Sequence, residues 1–240
     1  MVGTQSHPYL NVLGPIELVN ARGVPPNRAP KQCLEYCGWL LHHPGQTSTA
    51  MTRSLLVAEG TRRSNMSRLR IWLGNDEVGK PYLPDAYSGR IKLHPDVSSD
   101  WEYLNMLMVG GVQKAGNEAM IQSLGLVRGA PLADSAPGQW HWAEQWRFEM
   151  IKAIRDIGVT LANRAIDKQD LDLARWAATT ALIAAPEDDK LMTVRLRTEH
   201  LAGNRMEVNR LAMHVTRMAR TIGHDLPDEM IALIHTVLLN

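Results

Sequence analysis

Residues 61–74 carry the sequence TRRSNMSRLRIWLG, and this stretch decides how the N-terminal part of the chain is interpreted. Helical geometry places Met66, Leu69 and Leu73 on one apolar stripe, and Gly74 follows as a typical helix end. We therefore predict a helix over about Arg62 to Leu73 whose apolar stripe faces the core of a small domain.

The opposite face of this predicted helix is polar and basic. It carries Ser64, Ser67, Arg68 and Ile71, with Arg63 and Arg70 flanking on one side and Asn65 on the other. A recognition helix uses such residues on DNA, because arginine pairs with guanine, asparagine with adenine, and hydroxyls with phosphate or base edges. Basic side chains in the first turn, Arg62 and Arg63, oppose the helix macrodipole, which favours a phosphate-binding role. An ordinary polar helix start is the alternative.

Two further helices are predicted before this one. The first runs over about Pro30 to His43 and ends at Pro44-Gly45, and the second runs over about Thr49 to Ala58 and ends at Gly60. Hydroxyls precede the second helix at Thr47, Ser48 and Thr49. They can cap the helix, and together with its N-terminus they can bind a phosphate.

Short strands are predicted on both sides of the three helices. Residues 9–19 read as two strands broken by Gly14-Pro15, and Tyr82-Leu83 is expected to pair with Arg90 to Leu93 as a hairpin. In that hairpin Ile91 and Leu93 should face inward, whereas Arg90 and Lys92 face outward near Lys80 and can grip a phosphate. This order of elements predicts a winged helix-turn-helix DNA-binding domain over residues 9–97, after a flexible segment over residues 1–8.

Beyond Val97 the sequence has helical periodicity and almost no strand signal. Helices are predicted over about 98–114, 117–124, 142–166, 169–184, 188–202, 205–222 and 228–239, with a loop over 129–138. Apolar residues repeat faintly at an offset of 35 residues, as Val159 with Val194 and Leu161 with Leu196 illustrate. A tetratricopeptide-like helical repeat domain over residues 98–240 explains that offset, and chance similarity between two helical hairpins is the alternative. The predicted fold class is mainly α.

Charge is divided unevenly between the two predicted domains. Residues 1–97 hold eleven Lys and Arg against seven Asp and Glu, whereas residues 98–240 hold fifteen against eighteen. The basic half is the candidate for binding a polyanion, although ordinary variation between two domains would give a similar asymmetry.

Several classes of protein are disfavoured by what the sequence lacks. No stretch reaches the roughly 18 consecutive apolar residues of a membrane span, and Met1 to Pro8 do not resemble a secretion signal. Two cysteines, Cys33 and Cys37, lack the spacing of a disulfide framework or a zinc site. We expect a soluble cytoplasmic protein that is not an enzyme, with no cofactor, no metal site and no catalytic residues.

Three weaker signals favour structural interpretations. Residues 74–80 match the spacing of a phosphate-binding loop, but Pro81 stands where Ser or Thr is needed, and the stretch follows a helix instead of a strand. Cys33 and Cys37, with His42 and His43 further on, suit a packed core pair better than a metal site. Tryptophans at 140, 142 and 146, with a histidine at 141, are expected to pack against neighbouring helices more readily than to form a ligand pocket.

Residues 9–240 resemble the SARP family of bacterial regulators, in which a winged helix is followed by a bacterial transcriptional activator domain. The resemblance is carried by YLNVLGP at 9–15, SRLR at 67–70 with Leu73-Gly74, RIKL at 90–93 and LVRGAPL at 126–132. It implies sequence-specific activation of transcription on double-stranded DNA, with the helical domain assisting assembly, as in a homodimer, and contact with RNA polymerase.

A second functional hypothesis remains open. Related two-domain modules also occur at the ends of larger membrane-anchored proteins, where DNA binding does not follow from the fold. The second hypothesis is that the winged helix of this chain is a protein-interaction platform. In that case the chain is a non-enzymatic signalling or scaffold module, and its repeat domain binds a protein or peptide.

Overall fold

The computed structural model describes residues 7–85, 89–135, 138–222 and 226–238. The chain divides into two compact units, which we call the first unit (Met1–Leu104 with Pro131–Glu149) and the second unit (Asn105–Ala130 with Met150–Asn240). Most of the flexible segment expected over residues 1–8 lies outside the described residues.

A three-stranded sheet forms one part of the first unit. Strand β1 (Tyr9–Asn11) lies in the centre, antiparallel to β2 (Glu17–Val19) and parallel to β5 (Ser98–Ser99). Residues 131–133 return to the same region, where the backbone N–H of Leu132 donates to the carbonyl of Val12 (2.8 Å). Both β5 and residues 131–133 contact the β1 region, and the first unit includes both of them. The compact units therefore do not divide at the boundary expected near Val97.

Buried Asp100 fastens the turn after β1. Its side-chain oxygens accept hydrogen bonds from the backbone N–H groups of Val12 (2.8 Å) and Leu13 (3.0 Å), and the residue is only 1% exposed. The carboxylate thereby satisfies backbone donors that no strand pairing would reach.

The three helices of the first unit are α1 (Pro30–His42), α2 (Ser48–Ser54) and α3 (Glu59–Leu73). Pro30 starts α1, where its missing N–H costs nothing. Helix α2 ends earlier than predicted because Leu56 adopts a left-handed conformation (φ 49°), and α3 begins earlier, with Glu59 in its first turn where the macrodipole favours a carboxylate. Helices α1 and α3 pack against each other, and Arg22 donates its backbone N–H to the carbonyl of Leu73 at the end of α3.

The β-ribbon that forms the wing of the winged helix differs from the predicted hairpin. Strand β4 (Arg90–Ile91) pairs with β3 (Gln46–Thr47), not with Tyr82-Leu83, so the predicted pairing is wrong. Pro81 and Pro84 flank Tyr82-Leu83 and cannot donate backbone hydrogen bonds, while both intervening side chains are buried in the core. Residues 86–88, in the expected hairpin turn, lie outside the described residues.

The remaining elements are helical. They are α4 (Asp100–Leu107), α5 (Asn117–Leu124), a 3-10 turn (His141–Ala143), α6 (Glu144–Asp167), α7 (Leu171–Ala184), α8 (Asp189–Leu201), α9 (Arg205–Ile222) and α10 (Asp228–Leu238). The helix expected over 98–114 is shorter at both ends, because Ser98–Ser99 forms β5 and because Gly110 and Gly111 take positive φ angles of 88° and 92°. Of the loop predicted over 129–138, residues 136 and 137 lie outside the described residues, as does Leu239 of the last predicted helix.

In the second unit, one buried carboxylate joins three helices. Glu199 of α8 is 0% exposed and accepts hydrogen bonds from Arg175 of α7 (2.7 Å) and Asn204, just before α9 (3.0 Å). Arg195, one turn earlier on α8, lies 3.0 Å from the same carboxylate. Helices α8, α9 and α10 also enclose an apolar core that includes Leu196, Leu211 and Met230. The predicted architecture, a winged helix-turn-helix followed by an all-helical domain, is confirmed.

None of the described helices combines the length and the apolar character needed to cross a membrane.

Candidate nucleic-acid interface

The outward face of α3 matches the predicted surface at its centre. Arg63, Ser64 and Ser67 are exposed, Arg68 is half-buried, and Ile71 is 67% exposed. A helix that presents two arginines and two hydroxyls on one solvent-facing side offers both charge and hydrogen-bond donors to a polyanion.

Two residues predicted for this surface point toward the core instead. Arg62 is 9% exposed and Asn65 is 2% exposed. Both belong to the inward stripe of α3, since positions 62, 65, 66, 69 and 73 follow the spacing of one helical face and α1 covers that face. A direct contact of Asn65 with an adenine does not fit this placement.

Asn65 has a different structural role. Its side-chain oxygen accepts a hydrogen bond from Nη1 of Arg68 (2.6 Å), and its backbone carbonyl faces the thiol of Cys33 at 3.7 Å. A buried amide therefore binds a terminal nitrogen of the half-buried Arg68 side chain. Such a bond reduces the number of conformations that Arg68 must give up on binding.

The two neighbouring arginines of α3 are engaged to different degrees. Arg63 pairs with Glu59 one turn earlier, but the side chains are 71% and 63% exposed, so a phosphate can displace the carboxylate at little cost. Arg70 donates Nε to the carbonyl of Leu83 (2.9 Å) and pairs with Asp85 at 2.9 Å. Arg70 therefore anchors the segment after α3.

The start of α2 and the wing lie side by side. The register of β3 with β4 sets Thr47 opposite Arg90, and Arg90 donates Nη1 to the carbonyl of Gly45 (3.0 Å). Thr47 is the N-cap of α2, and its hydroxyl accepts the backbone N–H of Ala50 at 3.1 Å. The hydroxyls at the start of α2 and the basic strand at Arg90, which the sequence predicted separately, thus form one surface. Beside them Thr49 is exposed and Ser48 is half-buried.

The predicted alternation along the wing strand is confirmed. Ile91 and Leu93 are 2% and 7% exposed, whereas Arg90 and Lys92 are exposed. Lys80 is also exposed, on the turn that follows α3. In that turn the Asp76 carboxylate accepts the backbone N–H groups of Val78 (2.9 Å) and Lys80 (2.8 Å), so these donors are already occupied and do not form a phosphate cradle.

The two cysteines are buried, whereas His42 is exposed and His43 is half-buried. Burial raises the pKa of Cys33 to about 11 and that of Cys37 to about 12, which keeps both thiols protonated at neutral pH. Burial also lowers the pKa of His42 and His43, whose rings stack on Trp146 and Trp39. Within the described part of the chain, no group of three or more His, Cys, Asp and Glu side chains is arranged to hold a metal ion.

Sequence reasoning missed the buried carboxylate that organises the tryptophans. Glu35 of α1 is 5% exposed and accepts the backbone N–H of Trp140 (2.7 Å) and the indole N–H of Trp142 (3.2 Å). A Cβ on Gly38 would lie 2.5 Å from the Trp140 ring, so only glycine allows this approach. Because more than a hundred residues separate the partners, no local pattern signals their contact.

Comparison with known proteins supports the fold. No protein-family model and no curated protein matches the sequence. The chain is similar to the solved structure of Mycobacterium tuberculosis EmbR in complex with a low-affinity phosphopeptide, with 18% sequence identity and a TM-score of 0.63. The match covers 97% of this chain and 65% of that one, so the chain spans about two thirds of the length of the EmbR chain. The chain therefore shares the fold of the matched part of that EmbR structure.

Proposed function

We propose that this chain is a sequence-specific DNA-binding transcriptional regulator that activates its target genes in the cytoplasm. The observation that carries the proposal is the outward face of α3, where Arg63, Ser64, Ser67 and Arg68 share one accessible surface. Helix α3 would enter the major groove, and the start of α2 with the Arg90/Lys92 wing would contact adjacent phosphates. The sequence resemblance to the SARP family supports the same role.

The second unit would serve assembly. In this proposal it mediates homodimerisation and contact with RNA polymerase, since stacked helical hairpins offer extended surfaces for protein partners. Two copies on DNA would require two half-sites at a fixed spacing.

The test is salt-dependent binding to duplex DNA by the full chain. A genomic fragment library selects the bound sequence, and fluorescence anisotropy then compares the wild type with Arg63→Ala/Arg68→Ala. We expect the variant to lose sequence-specific binding and the salt slope to fall by about 2, because two phosphate- or base-contacting cations are gone. Arg217→Ala/Arg220→Ala is the matched control, since it removes two exposed arginines from the second unit. No wild-type binding stronger than about 10⁻⁴ M at low salt would refute the proposal.

A scaffold function is the second candidate. It is favoured by a groove of the second unit that is lined by the loop at 110–114, α6 and α8. It predicts that duplex binding is absent and that Arg63→Ala/Arg68→Ala leaves protein partnerships intact. The same pair of variants therefore separates the two functions.

A further inference from the structure

A groove lined by both apolar and charged residues crosses the second unit. One cavity of about 520 Å³ lies between the loop at 110–114 and α6, and another of about 420 Å³ lies between α6, α8 and Pro227. Val159 and Lys190 line both cavities, so the two adjoin and form one groove. The floor of the groove includes buried side chains of α8, since Val194 in the lining is only 7% exposed.

Three cationic and two acidic side chains line the groove. Lys114, Lys190 and Arg197 line it, and among the residues that the structure describes no hydrogen bond or ion pair holds their side chains. The lining also holds Asp156 and Asp189, but Asp156 already accepts two hydrogen bonds from Arg155 (2.8 and 2.9 Å). The groove therefore has a surplus of positive charge available to a ligand.

Two further features suit a polypeptide backbone. Asn163 lies half-buried in the wall, and no described residue engages its amide, which carries a donor and an acceptor side by side. At the other end, a Cβ on Gly111 would meet nothing within 4 Å, so this stretch of the wall exposes bare backbone. Peptide groups can pair with such an amide and can approach such a glycine closely.

We propose that this groove binds an extended acidic peptide segment of a partner protein. Lys190 and Arg197, seven residues apart on α8, receive carboxylates along the peptide, and Asn163 pairs with its backbone. Lys114, Lys190 and Arg197 are exposed along a groove between helices, and such a groove fits a thin extended chain better than it fits a duplex, whose phosphates lie on a broad convex surface. This partner site lies outside the DNA-contacting surface and does not depend on it.

The proposal is tested on the full chain with a phage-displayed library of random decapeptides. We expect selected peptides to be enriched in Asp and Glu, and we expect a labelled synthetic copy of the strongest binder to bind the wild type in fluorescence anisotropy. Lys190→Glu/Arg197→Glu should raise the Kd of that peptide at least tenfold. Asn163→Ala should weaken binding several-fold without changing the charge of the groove.

The matched control is Lys168→Glu/Arg205→Glu, which makes the same change of charge at two exposed positions outside the groove. It should alter the Kd less than twofold. Failure to enrich any peptide, enrichment of peptides without acidic residues, or equal losses in groove and control variants would overturn the proposal. Loss of duplex binding in the groove variant with peptide binding retained would show that the groove contacts nucleic acid. Loss of duplex binding in Arg63→Ala/Arg68→Ala alone bears only on the DNA-binding proposal.

Discussion

The two units use arginine in opposite ways. In the second unit Arg175 and Arg195 converge on Glu199, a carboxylate that is 0% exposed, and are held in place by it. In the first unit Arg63 has only an exposed carboxylate partner, and Arg68 is held through the neutral amide of Asn65. Counting charges does not separate these cases. The difference lies in whether the carboxylate partner is buried, because a ligand can displace an exposed carboxylate from its arginine but not a buried one.

The largest expected effect comes from removing the buried partner. Glu199→Ala should lower the free energy of unfolding of the second unit by about 4 kcal/mol, because two arginines lose the charge that compensates their partial burial. Urea denaturation followed by circular dichroism measures it. Asp172→Ala is the control, since Asp172 contacts the same Arg175 but is 96% exposed, and it should cost less than about 0.5 kcal/mol. Equal losses would show that burial of the partner does not matter.

Because of Glu199, we also expect the stability of the second unit to depend on pH. Burial by itself would raise the pKa of Glu199, but hydrogen bonds from Arg175 and the charge of Arg195 outweigh burial and hold the pKa below its ordinary value. A depressed folded-state pKa gives stability that is present above the unfolded pKa and is lost as the pH falls through the folded value. The wild type should therefore lose more stability than Glu199→Ala between neutral pH and about pH 3. Parallel pH curves for the two proteins would contradict this role.

In the first unit the buried carboxylate of Asp100 accepts hydrogen bonds from backbone N–H groups instead of from arginine. Asp100→Ala leaves the buried N–H groups of Val12 and Leu13 without acceptors and should cost about 3 kcal/mol. Thermal unfolding monitored by circular dichroism measures the loss. Asp96→Ala, at an exposed position four residues earlier, is the control and should change the Tm little. A comparable loss of stability in both variants would show that the buried hydrogen bonds of Asp100 contribute no more than an exposed carboxylate does.

A smaller effect is expected where a neutral residue positions an arginine. If α3 binds DNA as proposed, Asn65→Ala should reduce affinity for the selected duplex about tenfold, since Arg68 loses a hydrogen bond of roughly 1 kcal/mol and its fixed orientation. Asn65→Asp keeps an acceptor but places a buried negative charge beside Arg68, so it should weaken duplex binding further. Anisotropy on the selected site and on a scrambled site is the measurement. Unchanged duplex affinity in Asn65→Ala would show that the acceptor does not matter.

The smallest expected effect comes from the exposed ion pair between Glu59 and Arg63. Glu59→Gln should change the stability of the first unit by less than about 1 kcal/mol, because both side chains are exposed to water. It should strengthen duplex binding two- to threefold by freeing Arg63 and removing a negative charge. Glu118→Gln, on an exposed residue of the second unit, should leave duplex affinity unchanged. Weaker duplex binding in Glu59→Gln would contradict the proposed orientation of α3.

Local sequence patterns were sufficient where the structure depends on local interactions. The bounds of α5 were predicted to the residue, and α1 was predicted to within one, because capping residues, prolines and helical spacing act over a few positions. The alternation of Ile91 and Leu93 with Arg90 and Lys92 was confirmed for the same reason. On α3 the pattern identified the exposed face correctly at Arg63, Ser64 and Ser67.

The rest of the candidate site depends on partners that are distant in sequence. Arg62 and Asn65 are polar, so the sequence suggested exposure, yet α1 covers them and Asn65 became a support for Arg68. The strand that pairs with Arg90–Ile91 comes from 46–47, more than forty residues earlier. Asn65 is buried where Arg68 satisfies its side-chain oxygen, and the cover that α1 provides is visible only in three dimensions.

By itself, the sequence determined the mainly helical character, the order of elements and the basic outward face of α3, since these follow from spacing along the chain. Tertiary structure alone decided that β5 joins the first sheet, that residues 131–149 return to the first unit, and that Glu35, Asp100 and Glu199 bind inside the fold. The physical reason is that a buried carboxylate is stable only when donors converge on it, and convergence of distant segments is a property of the folded chain.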